Sequence, residues 1–168
     1  VSMDVEEMYQ EIILDHYRAK HFSGLRDPYQ AEVHHVNPSC GDEVTLRVHL
    51  TGGKIDDVSY DGQGCSISQA STSVMAGLVR DKSIDETLGL HDEFLAMMQS
   101  QGSVDSLGQN ADELEDDLED GIAFLGVAKF PARVKCALLG WSALKDAVIR
   151  AQADQGASQP NESEKVIS

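Results

Sequence analysis

Three features of this 168-residue chain predict an α+β fold, a small antiparallel sheet packed with several helices. Val44, Leu46, Val48 and Leu50 alternate with Thr45, Arg47 and His49, the period of two expected when one face of a strand is buried. After Gly62-Gln63-Gly64 the apolar period lengthens to that of a helix. Strands precede helices, an order that favours segregated layers over an alternating parallel sheet.

The first element reads as an amphipathic helix. Asp4 is placed to cap it, Glu7 follows in capping-box position, and Val5, Met8, Tyr9, Ile12, Ile13 and His16 keep helical spacing. Ser23-Gly24 and Asp27-Pro28 break the pattern. Residues 31–36 form a first strand and the Val44 to Leu50 alternation a second. Across the turn Thr51-Gly52-Gly53, residues 54–60 return as its partner. Ile67, Ala70, Ser71, Val74 and Leu78 line one face of the next helix. Ser83 and Glu86 offer a capping box for another, which carries Leu88, Phe94, Leu95 and Met98. Residues 99–108 are polar and contain glycine, hence a loop. Residues 112–120 are strongly acidic, yet Leu114, Leu118, Ile122 and Leu125 keep helical spacing, so the acids read as a solvated helix face. Pro131 suits the first turn of a last helix, where its missing donor is not needed, and Val134, Leu138, Trp141, Leu144 and Val148 form the buried stripe. Residues 151–168 are polar with little to bury and read as a disordered tail, leaving residues 1–150 as one domain.

Charge narrows the function. Lys plus Arg total 13 against 29 Asp plus Glu, a net charge of −16. Nucleic-acid binding draws on clustered cations, and an anionic membrane surface repels such a chain, so neither partner is expected. No apolar run approaches the ~18 residues of a spanning helix, and the first seven residues lack a basic region followed by an apolar stretch, so a cytoplasmic protein is expected. Three cysteines cannot close a paired disulfide framework.

Each cysteine has its own setting. Cys40 lies in Asn37-Pro38-Ser39-Cys40-Gly41-Asp42, turn chemistry between two strands. Cys65 lies in Gly62-Gln63-Gly64-Cys65-Ser66, where glycines lead into a helix. Cys136 lies near the start of the last helix, and beside Ala137-Leu138-Leu139 it also suits a buried structural role. A cysteine at a helix N-terminus feels the positive end of the dipole, which favours thiolate, the form that attacks sulfur and binds metal. Three thiolates fall one ligand short of a closed tetrahedral zinc site; Asp42, two residues from Cys40 across a glycine, is a fourth donor. Without a Cys-x-x-Cys pair, spacing alone does not establish such a site.

The strings Asn-Pro-x-Cys-Gly-Asp, Gly-x-Gly-Cys-x-Ile-Ser-x-Ala-Ser and Arg-Val-Lys-Cys-Ala-Leu-Leu, in this order, resemble the SufU branch of the IscU/NifU-N iron–sulfur assembly family. So does the opening Met8-Tyr9-Gln10-Glu11-Ile12-Ile13-Leu14-Asp15-His16-Tyr17, and the match covers residues 5–149. The resemblance implies a compact SufE/NifU-like α+β fold with Cys40, Asp42, Cys65 and Cys136 converging on one metal. Where the IscU branch carries histidine before the third cysteine, this chain has Lys135, which has no lone pair at neutral pH. The stretch between Cys65 and Cys136 is also longer than in IscU. Both features favour a zinc-dependent sulfurtransferase, with Zn2+ as cofactor and Cys40 as the catalytic acceptor of persulfide sulfur. Its implied partners are a PLP-dependent, SufS-like cysteine desulfurase and downstream iron–sulfur assembly proteins. The alternative is a scaffold on which a [2Fe–2S] cluster is assembled and handed on. A third reading, a zinc-stabilised interaction module without sulfur chemistry, fits the loop setting of Cys40 poorly.

Other residues have plainer readings. Arg133 could steady Asp42 or a departing thiolate, though a surface ion pair is the simpler expectation. His34 and His35 point to opposite faces of a strand, so at most one could reach the site. Trp141 and the methionines are read as core.

Overall fold

The computed structural model describes residues 5–39, 41–103 and 111–157. Its order is α1 (Val5–Ala19), β1 (Ala31–Asn37), β2 (Asp42–Thr51), β3 (Lys54–Gln63), α2 (Ser66–Val79), α3 (Ile84–Gln99), α4 (Ala111–Leu118) and α5 (Pro131–Ala157). Two 3-10 segments, Glu119–Leu125 and Val127–Lys129, join the last two helices. The three strands form an antiparallel sheet in the order β1-β2-β3. This is the expected α+β architecture.

The period-two alternation in β2 does what it predicts. Val44, Leu46, Val48 and Leu50 are buried on one face, while Thr45, Arg47 and His49 are only partly covered on the other. Helix α5 crosses the buried face over β1 and β2, and α2 packs between α5 and α1. The centre of the helical layer is Trp141, stacked on Phe94 at 4.8 Å, with Phe124 edge-on to Phe94 at 5.9 Å. All three are fully buried. Ser83 and Glu86 form the capping box at the start of α3, each side chain meeting the other residue's backbone N–H.

Four details differ from the expectation. Helix α2 is buried nearly all round, not on one face, because α1, α5 and the 119–125 segment enclose it. Its small polar residues allow this by finding internal partners: Ser71 Oγ donates to Ala137 O at 2.6 Å and Thr72 Oγ1 to Ser68 O at 2.8 Å. The acidic helix does not run on past Leu118; the chain tightens to 3-10 geometry at Glu119, whose φ is +49°. Leu114, Leu118 and Ile122 stay buried and the acids stay exposed. Helix α5 continues through Ala157, beyond the boundary drawn at residue 150, because Ala151 is fully buried in line with Leu144, Ala147 and Val148. Residues 158–168 lie outside the described residues, as does the proposed cap Asp4. Finally, Val5 and Met8 on α1 are exposed, so Met8 is not core; Met75, Met97 and Met98 are. Helix α1 packs on α2 and the 119–125 segment, and one of its sides borders an open groove of about 820 Å³.

Candidate metal centre

The hairpin register places the first donor. Asn37 pairs with Asp42 across β1 and β2, and Gly41 N–H closes the loop onto Asn37 O at 2.9 Å. Gly41 takes φ +74°, a left-handed value that glycine adopts without strain. Asp42 thereby begins β2 on its buried face, 1 % exposed.

The second donor is placed by a tight approach of β3 to the start of α2. Gly64 has φ +149°, and a Cβ there would run into the Asp42 carboxylate, 2.7 Å from its Cγ. With only hydrogen at that position, Cys65 N–H donates to Asp42 Oδ1 at 2.9 Å, and Cys65 Sγ stands 3.6 Å from Asp42 Oδ2. Cys65 is the N-cap of α2, with its sulfur at the positive end of the helix. Ser68, three residues on, donates to Cys65 O at 3.1 Å and lies 4.0 Å from its sulfur. The third donor, Cys136, is buried in the second turn of α5, its thiol 3.8 Å from Ala132 O.

The three ligating atoms of Asp42, Cys65 and Cys136 all lie within 4.8 Å of one another. They arrive from three elements that share no local sequence. Zinc bonds of about 2.3 Å to sulfur and 2.0 Å to oxygen imply a tetrahedral sulfur–oxygen edge of about 3.5 Å. The 3.6 Å between Asp42 Oδ2 and Cys65 Sγ matches that edge. Two thiols and a buried carboxylate this close repel one another once deprotonated, and a divalent cation offsets that charge. The donor set therefore fits zinc. Cys40, the fourth predicted ligand, lies outside the described residues, between the described Ser39 and Gly41.

The other candidates are elsewhere. His34 meets Thr45 Oγ1 at 2.9 Å and His35 meets Asp146 Oδ2 at 2.9 Å, so both are engaged away from the donors. Arg133 is exposed on the rim of the groove and forms no ion pair among the described residues. Lys135 is exposed beside Cys136. Ser68 and Gly64 also shape the site; their sequence signals are the Cys-x-x-Ser spacing at a helix start and the glycine directly before Cys65.

The family model described as NifU-like N terminal domain matches residues 8–137. The chain belongs to the NifU-like N-terminal domain family. Within this family it is 37% identical over 150 residues to the zinc-dependent sulfurtransferase SufU of Bacillus subtilis, covering 89% of this chain and 95% of that protein. It is 38% identical over 157 residues to the iron–sulfur cluster assembly scaffold protein IscU of Streptococcus pyogenes, covering 94% and 92%. Its structure resembles the crystal structure of a putative iron–sulfur cluster assembly scaffold protein for the SUF system from Fervidobacterium islandicum. The TM-score is 0.71 at 39% identity, covering 82% of this chain and 94% of that one. No helix among the described residues is long and apolar enough to cross a membrane.

Proposed function

We propose that this NifU-like domain accepts persulfide sulfur from a PLP-dependent cysteine desulfurase for iron–sulfur cluster assembly. In this reading Cys40, Asp42, Cys65 and Cys136 hold one Zn2+ and Cys40 is the acceptor. The observation that carries the reading is the convergence of Asp42, Cys65 and Cys136 within 4.8 Å of one another, with the Asp42–Cys65 edge at 3.6 Å. The likeness to a relative named a zinc-dependent sulfurtransferase supports it. Zinc, when bound, holds its thiol ligands as thiolates at neutral pH.

The chain's own residues divide the work. Cys65 and Cys136 sit on helices anchored in the core, which suits permanent ligands. Asp42 Oδ1 is held by Cys65 N–H, which aims Oδ2 at the donor cluster. Cys40 belongs to the short loop between β1 and β2, whose described residues Pro38, Ser39 and Gly41 are exposed, a setting that suits the ligand a docked partner would draw away. Its thiolate attacks the outer sulfur of the desulfurase persulfide. A new sulfur–sulfur bond forms on Cys40, the donor's sulfur–sulfur bond breaks, and the donor cysteine leaves as thiolate, with no net oxidation. Lys135, exposed and without a lone pair at neutral pH, adds no ligand.

The test combines metal analysis of anaerobically purified protein with trapping of radiolabelled sulfur from cysteine in the presence of desulfurase. The reading expects about one zinc per chain and label on Cys40, lost in Cys40→Ser while the fold survives. Label on Cys65 or Cys136 with Cys40 unmodified would overturn the assignment. Iron with acid-labile sulfide in place of zinc would establish the [2Fe–2S] scaffold reading instead.

A further inference from the structure

Helix α2 opens with a hydroxyl beside one of the donor sulfurs. Cys65 is the N-cap of α2, and Ser68 lies one turn on with only 4 % of its surface exposed. Ser68 Oγ donates to Cys65 O at 3.1 Å, and the same oxygen stands 4.0 Å from Cys65 Sγ. The carbonyl does not depend on that bond, because it already takes Gln69 N–H at 3.2 Å, the first bond of the helix. A hydroxyl on an N-cap carbonyl is in itself ordinary helix chemistry. Thr87 Oγ1 donates to Ser83 O at 2.8 Å in the same way at the start of α3, where the cap is a serine. What sets Ser68 apart is the sulfur.

The thiol of Cys65 has one hydrogen and two oxygens within reach, and Asp42 Oδ2 is the nearer at 3.6 Å. Between Ser68 and the sulfur, the proton that remains is the hydroxyl's own. While the sulfur carries hydrogen it is a weak acceptor, and the hydroxyl keeps to Cys65 O. With a metal bound the thiol hydrogen is gone, and the sulfur is an anion at the cap position, where helices favour an accepting side chain. Rotation about the Cβ–Oγ bond then turns Ser68 O–H onto the sulfur, and Cys65 O keeps Gln69 N–H. We infer that Ser68 is a positioning residue of the metal centre, its hydroxyl donating to the Cys65 thiolate and so fixing that sulfur on the metal; this rests on the zinc-bound reading above. A metal-bound thiolate keeps lone pairs that a hydrogen bond can reach, and such outer partners orient a ligand and tune its bond to the metal. Only a proton changes direction; no covalent bond is made or broken at Ser68.

The test uses the full chain and metal alone, without desulfurase. Ser68→Ala deletes the hydroxyl and leaves Cys65 O with its Gln69 N–H bond. Thr87→Val does the same at α3, where Ser83 O keeps Thr87 N–H, and serves as the control. In competition with a chromogenic chelator, Ser68→Ala should bind zinc about 10- to 100-fold more weakly, while Thr87→Val binds as the parent does. With cobalt(II) in place of zinc, the sulfur-to-metal charge-transfer band of Ser68→Ala should move to longer wavelength, because a thiolate without its hydrogen bond holds its electrons less tightly. Ser68→Thr, which keeps a hydroxyl, should restore both the affinity and the band. Parental zinc affinity with an unmoved cobalt band in Ser68→Ala overturns the inference. So does a zinc loss that Thr87→Val shares, or one that persists in a Ser68→Thr protein melting with the parent, since either marks a purely structural effect. A parent chain that takes up no zinc defeats the zinc-bound reading and this inference with it, whereas a zinc-binding parent with unaffected variants defeats this inference alone.

Discussion

Gly64→Ala is the sharpest probe of how the backbone builds the donor set. The new Cβ would fall 2.9 Å from Asp42 Cβ and 2.7 Å from Asp42 Cγ, closer than real Cβ contacts come, and would overlap Oδ1. Asp42 is 1 % exposed, so its carboxylate is enclosed by protein. The carboxylate must therefore swing, breaking the 2.9 Å bond from Cys65 N–H. A hydrogen bond to a charged group is worth about 1.5–3 kcal/mol, and holding a non-glycine residue in this region of φ adds roughly 1–3 kcal/mol. The loss is then about 2.5–6 kcal/mol, or a fall in Tm of roughly 10 °C for a domain of this size. Displacing a ligand's hydrogen-bonded support should also weaken zinc about 10- to 100-fold. The assay is thermal melting of the metal-free protein followed by competition with a chromogenic chelator. Gly52→Ala is the control, since Gly52 also has positive φ, +60°, but nothing within 4 Å. It should cost stability and leave zinc affinity unchanged. If metal-free Gly64→Ala melts within about 2 °C of the parent, a shift worth under 1 kcal/mol, and binds zinc equally well, the packing argument is wrong.

Two further perturbations address the frame around the site. Asp57 takes two hydrogen bonds from Arg26 and one from Arg80; the Arg26 hydrogen bond is the largest cause holding its carboxyl below the ordinary range. A depressed folded pKa stabilises fully above the unfolded value, about 3.9, and the benefit disappears as pH falls through the folded value. Asp57→Asn should therefore melt below the parent at pH 7, with the gap closing as pH falls below the unfolded carboxylate value of about 4; a gap that is constant with pH would refute the ion-pair origin. Gly140→Ala would set a Cβ 3.0 Å from Thr72 Cβ and 3.2 Å from Thr72 Cα at the crossing of α2 and α5. Overpacking of this kind costs about 1–3 kcal/mol. Because Cys65 and Cys136 belong to those two helices, zinc affinity in the chelator assay should fall with Tm, and an unchanged affinity would show that the crossing does not set the site.

What the sequence made legible was local. The alternation in β2, the Ser83–Glu86 box and the glycines beside Cys40 and Cys65 are patterns within a few residues, and each appears where expected. What it hid depends on partners far along the chain. His16 reads as one more position on an amphipathic helix, yet it meets Ser73 Oγ at 2.9 Å and Asp120 Oδ2 at 2.8 Å, residues 57 and 104 positions away. Ser71, Thr72 and Ser73 look too polar for a helix enclosed on all sides; their hydroxyl partners make that enclosure possible, and no spacing rule reveals them. The polar composition after residue 150 concealed the last turns of α5, because one buried alanine is enough to continue a stripe. Cys136 carried both a ligand and a core reading in the sequence. The fold removes the contrast, since its sulfur is buried and also lies among the donors.

The described donors rest on two frames, the α2–α5 crossing and the sheet, which meet at the site. Cys65 and Cys136 are tied through the α2–α5 crossing, where Gly140 lets the helices close on Thr72 and Ser71 Oγ locks onto Ala137 O, the residue after Cys136. Asp42 is tied to the sheet by hairpin register and to α2 by the Cys65 N–H. These ties link the sheet and helical layers through the site itself, so three donors cannot move without disturbing the core. Cys40 is different in kind. Its chain neighbours are held by the Gly41 to Asn37 and Ser39 to Asn37 hydrogen bonds, all within one short loop. The described residues between the strands, Pro38, Ser39 and Gly41, are exposed, and exposed turns open at lower cost than buried elements. The sulfur-accepting role proposed for Cys40 would require the centre to give up that ligand while Asp42, Cys65 and Cys136 stay fixed by the core.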